Sequence, residues 1–168
     1  MDTKSKEKKG RIILSFTTTY KRHHLLYQSI PSLTNQSLKP DIILLNVRLT
    51  DFSKQERNEF VKWLEEKGIS INDAEDIGPY TKLLPALSCA DEDDLIITAD
   101  DDMIYEKNWL KKLVHAHYNN PSRIICSQAD IIKKNVLGGW QNFAHWKRIN
   151  SRQNGIHLLP LGLGGVVY

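Results

Sequence analysis

The chain has 168 residues, of which 40% are hydrophobic and 26% charged, and its formal net charge is +3. That length predicts a single domain that is large enough to bury a core of its own. No apolar stretch approaches the ~20 residues of a membrane span, and no segment resembling a signal peptide follows the charged N-terminus, so we expect a cytoplasmic protein.

Strand-like apolar runs alternate with helix-like segments along the chain. The predicted strands are residues 11–16, 41–47, 69–71, 94–99 and 123–128. The predicted helices are residues 23–36, 53–68, 79–90 and 107–121. The second helix opens with a capping box of Ser53 and Glu56, and prolines at positions 31 and 85 predict a kink or a break in the first and third helices. Apolar strands without alternation are typical of an α/β fold, in which helices cover both faces of a mostly parallel sheet.

Polar residues follow three of these strands, at residues 17–22, 46–51 and 100–102. The carboxyl ends of parallel strands share one edge of the sheet, where ligands bind. Three consecutive aspartates repel each other there, and a divalent cation, magnesium or manganese, would make their juxtaposition favourable. The alternative is an exposed acidic turn such as the one we expect at residues 91–94. The two distant cysteines, Cys89 and Cys126, are expected to be buried reduced thiols.

Three segments carry a resemblance to a known family. They are ILSFTTTYKRHHLLYQSIPSLTNQSLKPDIILLNV, DIGPYTKLLPAL and DDLIITADDDMIYEKNWLKKLV. Together they resemble the GT-A fold glycosyltransferases with a DXD motif, especially bacterial family-two-like transferases that use nucleotide-activated sugars. The resemblance runs from about Arg11 to the last residue and implies a Rossmann-like nucleotide-binding fold.

The resemblance implies a role in donor binding for residues at the predicted edge. Thr18, Tyr20 and Arg22 would line the nucleotide pocket, with Arg22 available to a phosphate or to the base. Asn46 stands where the family often has an acidic residue that contacts the base, which leaves the identity of the base open. Lys82 would face the diphosphate or the ribose.

The aspartate string is implied to hold both the sugar and the metal. Asp100 would hold the ribose or the donor sugar, Asp101 would point away or reach the sugar, and Asp102 would bind manganese or magnesium. In the family a general base follows a segment resembling LGLGGVVY, where this sequence stops, and Asp130 matches no family motif. We therefore leave the base unassigned.

The function that the resemblance implies is sugar transfer from a nucleotide diphosphate donor to a glycan or lipid-linked acceptor, as in surface polysaccharide assembly. One alternative is a binding module that holds a nucleotide sugar without transferring it. Another is a nucleotidyltransferase, which would be expected to carry a glycine-rich loop after the first strand, whereas TTTYKR contains no glycine.

The family resemblance and the distribution of basic residues also predict the domain organisation and the partners. Residues 1–10 are predicted to be a flexible basic tail and residues 11–168 a single domain whose acceptor half is incomplete after residue 129. The basic residues favour a solvated surface or contact with phosphates, including those of lipids at the inner face of the membrane, over nucleic acid. We expect uncovered apolar surface near residues 140–168, self-association, and sugar transfer that is weak or absent.

Overall fold

The computed structural model describes residues 10–149 and 153–168. The predicted flexible tail therefore lies outside the described residues, apart from Gly10. Nine β-strands are defined in the described ranges: β1 Ile12–Thr17, β2 Ile42–Val47, β3 Ser70–Asp73, β4 Leu95–Thr98, β5 Ile125–Cys126, β6 Ala129–Ile131, β7 Lys147–Arg148, β8 Leu158–Pro160 and β9 Val166–Val167. The α-helices are α1 Leu26–Thr34, α2 Lys54–Glu66, α3 Leu84–Leu87 and α4 Trp109–Tyr118.

Six strands form the main sheet in the order β3-β2-β1-β4-β9-β5. The first four strands run parallel, and β9 is antiparallel to its neighbours β4 and β5. The α/β fold with a mostly parallel sheet is therefore confirmed. The sheet departs from a fully parallel one at one edge, where β9 separates β4 from β5. Its two residues, Val166 and Val167, are both buried. The apolar pair indicates the start of a strand in the sequence, but two residues do not predict its antiparallel position in the sheet.

Helix α2 begins at its predicted capping box, whereas α1 and α3 are shorter than predicted. Ser53 and Glu56 form the predicted capping box, which satisfies free N–H groups at the start of α2. Pro31 lies inside α1 without ending it. Pro85 occupies the first turn of α3, where its missing N–H costs no hydrogen bond. Short 3-10 helices precede α1 at His23–Leu25 and α3 at Gly78–Lys82.

The core lies on both faces of the main sheet. On one face Leu14, Phe16 and Leu45 of the strands belong to a large buried cluster with residues of α1, α2 and α4. On the other face Ile13 and other strand residues form a smaller cluster with Ala86 of α3. This two-sided burial explains why the strands lack polar alternation.

A second, antiparallel sheet of order β7-β6-β8 follows the main fold. Its strands have only two or three residues each, so the sequence after residue 129 shows no periodicity that would predict them. Its last strand, β8, leads through the 3-10 helix Gly162–Gly164 into β9 of the main sheet. No helix within residues 10–149 and 153–168 is long and apolar enough to span a bilayer.

Two sequence-based expectations outside the carboxyl edge are wrong. Cys89 is exposed and Cys126 only partly buried, although both are free thiols; burial raises the pKa of the Cys126 thiol. In the acidic turn at residues 91–94, Asp94 is not solvated. Its side chain is 2% exposed and pairs with Arg11 of the neighbouring strand segment, because a carboxylate buried there needs a cation.

Candidate functional site

The end of β1 meets the aspartate string through Asp101. Thr18 donates its hydroxyl to Asp101 Oδ2 at 2.7 Å, and Arg22 donates its Nε to the same oxygen at 3.2 Å and its Nη2 to Oδ1 at 2.5 Å. Arg22 Nη2 also lies 3.0 Å from Asp102 Oδ2. The hydrogen bond to Asp101 raises the pKa of Arg22, against the opposing effect of burial. The turn after β1 is thereby fixed to the turn after β4.

The three aspartates have different environments. The side chain of Asp101 is 7% exposed, whereas that of Asp102 is 47% exposed. Asp100 forms an ion pair with Lys82 of the 3-10 helix Gly78–Lys82, and both side chains are largely buried. Thr81 fixes that helix by accepting a hydrogen bond from the N–H of Ile77 at 2.9 Å. Lys82 and Asp100, which were predicted from separate segments of the sequence, are therefore in contact. Asp102 is the aspartate most open to solvent.

A glycine loop, residues 162–165, packs against this cluster. A Cβ atom at Gly162 would lie 2.6 Å from Lys82 Nζ, so only glycine leaves Lys82 in its observed position. Gly165 has φ +83°, a conformation that favours glycine, and a Cβ there would meet the ring of Trp109. The loop therefore approaches Lys82 and Trp109 as closely as backbone alone permits.

Two aromatic side chains connect the glycine loop to the aspartate string. The Asp100 N–H donates to Tyr105 Oη at 2.8 Å, and Tyr105 Oη lies 3.4 Å from the Leu163 carbonyl to which it donates. Burial raises the pKa of Tyr105 above its usual range, so the hydroxyl keeps the proton that it donates. Trp109 Nε1 donates to the Gly164 carbonyl at 2.8 Å, and the Tyr105 and Trp109 rings are 4.0 Å apart.

Two predicted donor-binding residues lie near this edge but have their polar atoms engaged. Asn46 is fully buried, donates from Nδ2 to Ser15 Oγ at 2.9 Å and accepts at Oδ1 from Asn72 at 3.0 Å. Tyr20 donates its hydroxyl to Glu56 Oε1 at 2.8 Å. Hydrogen bonds from Ser53, and then the one from Tyr20, lower the pKa of Glu56.

The sequence reasoning missed three features of the site. Tyr105 follows the aspartate string by three residues, and the pattern gave no signal that its hydroxyl returns to Asp100. Asn72 stands beside Asn46 in the parallel register of β2 and β3 and is partly exposed. No role was assigned to the glycine loop from the sequence, yet its glycines approach Lys82 and Trp109. Their spacing in LGLGG was the available signal.

The oxygen atoms that the site offers as metal ligands fit a divalent cation that is held jointly with a substrate. No group of three or more His, Cys, Asp or Glu residues in the described ranges is arranged to hold a metal without other ligands. Magnesium is usually bound by one or two carboxylates together with substrate phosphates and water. Asp102 offers hard oxygen atoms and is half-exposed. Asp130, the other carboxylate considered, is buried and paired with Arg148 at 2.7 Å.

The sequence of the chain matches a family already described. A sequence model of glycosyl transferase family 2 matches residues 16–167, which covers the aspartate string, the glycine loop and the main sheet from the last two residues of β1 onward. No curated protein sequence matches the chain.

Solved structures with a similar fold come from two enzyme classes. A mannosyltransferase of Pyrobaculum calidifontis, solved with GDP-Man and Mn²⁺, superposes with a TM-score of 0.54 at 15% identity, over 71% of this chain and 36% of its own. The 4-diphosphocytidyl-2C-methyl-D-erythritol synthase of Anaerococcus prevotii gives a TM-score of 0.55 at 13% identity, over 82% of this chain and 66% of its own. At such identities the similarity shows the fold alone. The chain spans about a third of the length of the mannosyltransferase.

Proposed function

Because the chain belongs to glycosyl transferase family 2, we propose that it transfers a sugar from a nucleotide diphosphate donor to a glycan or lipid-linked acceptor. The observation that carries the proposal is the meeting of two cations, Lys82 and Arg22, with three aspartates at the carboxyl edge of the main sheet. A site of this composition suits an anionic donor that arrives with a cation.

The two basic side chains are the proposed diphosphate ligands. Lys82 and Arg22 are held at their aspartate partners, so the diphosphate can receive charge-assisted hydrogen bonds from groups that are already positioned. Asp102 is the proposed ligand of manganese or magnesium, and a cation bound there would help to neutralise the leaving diphosphate. Asp100 is proposed to hold hydroxyl groups of the ribose or the donor sugar.

The nucleoside is proposed to lie beside β1, β2 and β3. Thr18 and Tyr20 border this part of the edge, and the partly exposed Asn72 is better placed for the base than the buried Asn46 that supports it. In this arrangement Asn46 acts by holding the Asn72 amide. Asp101 acts similarly by holding Arg22. Asp130 receives no role as a base, because its carboxylate is neutralised by Arg148.

A nucleotidyltransferase is the second candidate, and the fold similarity to the Anaerococcus prevotii synthase is the observation that favours it. The two functions differ in the products formed from a nucleotide substrate. A glycosyltransferase releases a nucleoside diphosphate from a nucleotide sugar, whereas a nucleotidyltransferase releases pyrophosphate from a nucleoside triphosphate. A module that only binds nucleotide sugar releases neither product.

Calorimetry with a panel of nucleoside diphosphates, with and without Mn²⁺, tests the donor site. We expect Mn²⁺ to increase the affinity of at least one diphosphate and Asp102→Asn to abolish that increase without unfolding the protein. The variant loses a half-exposed contact with Arg22 but also relieves repulsion within the string, so the ligand-free protein should stay within about 1 kcal/mol of the original stability. Asp93→Asn, at an exposed aspartate in the acidic turn, is the matched control. A metal-dependent affinity that survives in Asp102→Asn would contradict the assignment.

Product analysis then tests the reaction. Each nucleotide sugar that binds is incubated with the protein and a glycan or lipid-linked acceptor, and nucleoside diphosphate release is measured. Lys82→Ala should weaken diphosphate binding by about ten- to a hundredfold, as expected for a lost charge-assisted hydrogen bond, and should affect nucleoside binding less. Equal losses for nucleoside and diphosphate would remove Lys82 from the phosphate site. Pyrophosphate release from a triphosphate would favour the second candidate.

A further inference from the structure

An ordered hairpin projects from the small antiparallel sheet. Residues 134–140, here called the tip hairpin, close with a bridge between Lys134 and Trp140. The Asn135 N–H donates to the Gly139 carbonyl at 2.7 Å, and Asn135 Oδ1 accepts from the N–H groups of Leu137 at 2.9 Å and Gly139 at 3.0 Å. These bonds hold the turn in one conformation.

The side chains at the end of this turn are apolar and exposed. Val136 and Leu137 are 102% and 91% exposed, so neither is covered by the described residues. Trp140 is also exposed, and Lys134 Nζ lies 4.9 Å above its ring centroid. Adjacent large apolar side chains that are held in water by an ordered turn are unfavourable unless another surface covers them.

The charge around the tip hairpin is one-sided. Residues 131–168 contain five basic residues and no aspartate or glutamate. The preceding 130 residues contain the other 18 basic residues and all 20 acidic ones, which gives that part a net charge of −2. Lys133 precedes the tip hairpin and Lys134 is its first residue, and neither forms an ion pair with the described residues.

We propose that the tip hairpin docks the protein on an anionic lipid surface. Val136 and Leu137 enter the boundary between headgroups and acyl chains, Trp140 lies at the level of the headgroups, and the lysines contact anionic headgroups. A projecting tip with three exposed apolar side chains is too small for a stable protein interface, which buries about 800 Å² on each partner. A lipid surface accepts such a tip because it deforms around it.

This docking goes beyond the proposed transfer and does not depend on it. β8 joins the small sheet to the glycine loop beside Lys82, so the lipid contact and the candidate site lie on one continuous stretch of chain. If the transfer reaction takes a lipid-linked acceptor, docking would bring the protein to the surface that contains it. Binding to vesicles measures docking without any donor or acceptor.

Vesicle flotation tests the proposal with phosphatidylcholine vesicles that contain or lack phosphatidylglycerol. We expect binding only to the anionic vesicles and a decrease with added salt, because salt screens the lysines. Lys133→Gln with Lys134→Gln should weaken binding by about fivefold for each lysine. Val136→Ser with Leu137→Ser should weaken it by on the order of tenfold or more. Binding should also shift the tryptophan emission to shorter wavelength, and Trp140→Phe should remove most of that shift.

Matched changes on other surfaces provide the controls. Lys62→Gln with Lys67→Gln removes two exposed lysines near the end of α2, and Leu87→Ser with Ile124→Ser removes two exposed apolar side chains elsewhere. Both controls should bind the anionic vesicles as the original protein does. The proposal would be overturned if the original protein did not bind the anionic vesicles or bound neutral vesicles equally well. Losses of binding in the control variants equal to those in the hairpin variants would also overturn it. Light scattering that shows self-association through Val136 and Leu137, without vesicle binding, would also overturn it.

Discussion

The Arg22 guanidinium contacts two consecutive carboxylates, at 2.5 Å from Asp101 Oδ1 and 3.0 Å from Asp102 Oδ2. Lys82 pairs with the third carboxylate, that of Asp100. Two positive and three negative charges leave the cluster with a formal net charge of −1. This compensation explains how three aspartates can follow a buried strand in the absence of a ligand. An anionic diphosphate would raise the negative charge, and a divalent cation would then offset it.

Arg22→Ala is expected to lower the free energy of unfolding by about 1–3 kcal/mol, because it leaves the buried Asp101 carboxylate with Thr18 as its remaining side-chain partner. We place the value below that of a fully buried pair because Arg22 is half-exposed. Urea denaturation near neutral pH measures the change. Arg48→Ala is the control, since Arg48 forms only exposed ion pairs, and its effect should be within about 0.5 kcal/mol. Equal effects of the two substitutions would mean that Arg22 does not stabilise Asp101.

The sequence predicted the position of the cluster better than its internal contacts. Lys82 and Asp100 were both assigned to the carboxyl edge, because strand ends share an edge and the segments resemble a known family. That Asp101 turns inward to Arg22 was not predictable, since neighbouring aspartates have the same chemistry and differ only in backbone direction. Asn46 illustrates the same limit, because its side-chain amide is engaged by Ser15 and Asn72 of the two neighbouring strands, and that pairing depends on their register.

Gly165→Ala and Gly138→Ala form a matched pair. Both glycines have positive φ, +83° and +82°, so alanine is strained at either position. A Cβ at residue 138 meets open space, whereas one at residue 165 meets the Trp109 ring. We expect Gly138→Ala to cost about 1–2 kcal/mol and Gly165→Ala about 1–3 kcal/mol more, as measured by urea denaturation. If the two substitutions lowered the free energy of unfolding equally, the close approach of the Trp109 ring would not be what disfavours a Cβ atom at residue 165.

Gly162→Ala should affect the site more than the fold. The added Cβ meets Lys82 Nζ, the free end of a flexible side chain, so Lys82 can move aside with little loss of stability. We expect a change in unfolding free energy below about 1 kcal/mol. Diphosphate affinity should fall as it does in Lys82→Ala, because both substitutions remove the ammonium from its position. An affinity equal to that of the unchanged protein would separate the glycine loop from the donor site.

Tyr105→Phe tests the connection between Asp100 and the glycine loop. Removing the hydroxyl leaves the Asp100 N–H without its acceptor and the Leu163 carbonyl without its donor, at a buried position. The expected loss is about 1–3 kcal/mol of unfolding free energy. Tyr27→Phe, at an exposed ring, should change stability by less than about 0.5 kcal/mol. A similarly small change in Tyr105→Phe would mean that water replaces the hydroxyl without cost.

Asp94 lies at the opposite edge of the main sheet, where its ionised form is strongly favoured. Asp94 Oδ2 accepts from Arg11 Nε at 2.9 Å and Nη2 at 2.5 Å, and from the Asp91 N–H at 2.9 Å, while Oδ1 accepts from the Arg11 N–H at 2.6 Å. The hydrogen bond from the Arg11 side chain, which outweighs burial, lowers the pKa of Asp94 from 3.8 to about 2. The carboxylate thus joins the start of β1 to the start of β4.

A lowered carboxyl pKa stabilises the fold at any pH above the unfolded value of 3.8, and the contribution is lost as the pH falls towards about 2. The shift corresponds to on the order of 2 kcal/mol. Asp94→Asn should therefore be less stable by about that amount near neutral pH, and the difference should disappear between about pH 4 and about pH 2. Urea denaturation of both proteins across this range measures it, with Asp93→Asn as an exposed control. A difference that persists at the lowest pH would mean that Asp94 stabilises the fold through packing rather than through its charge.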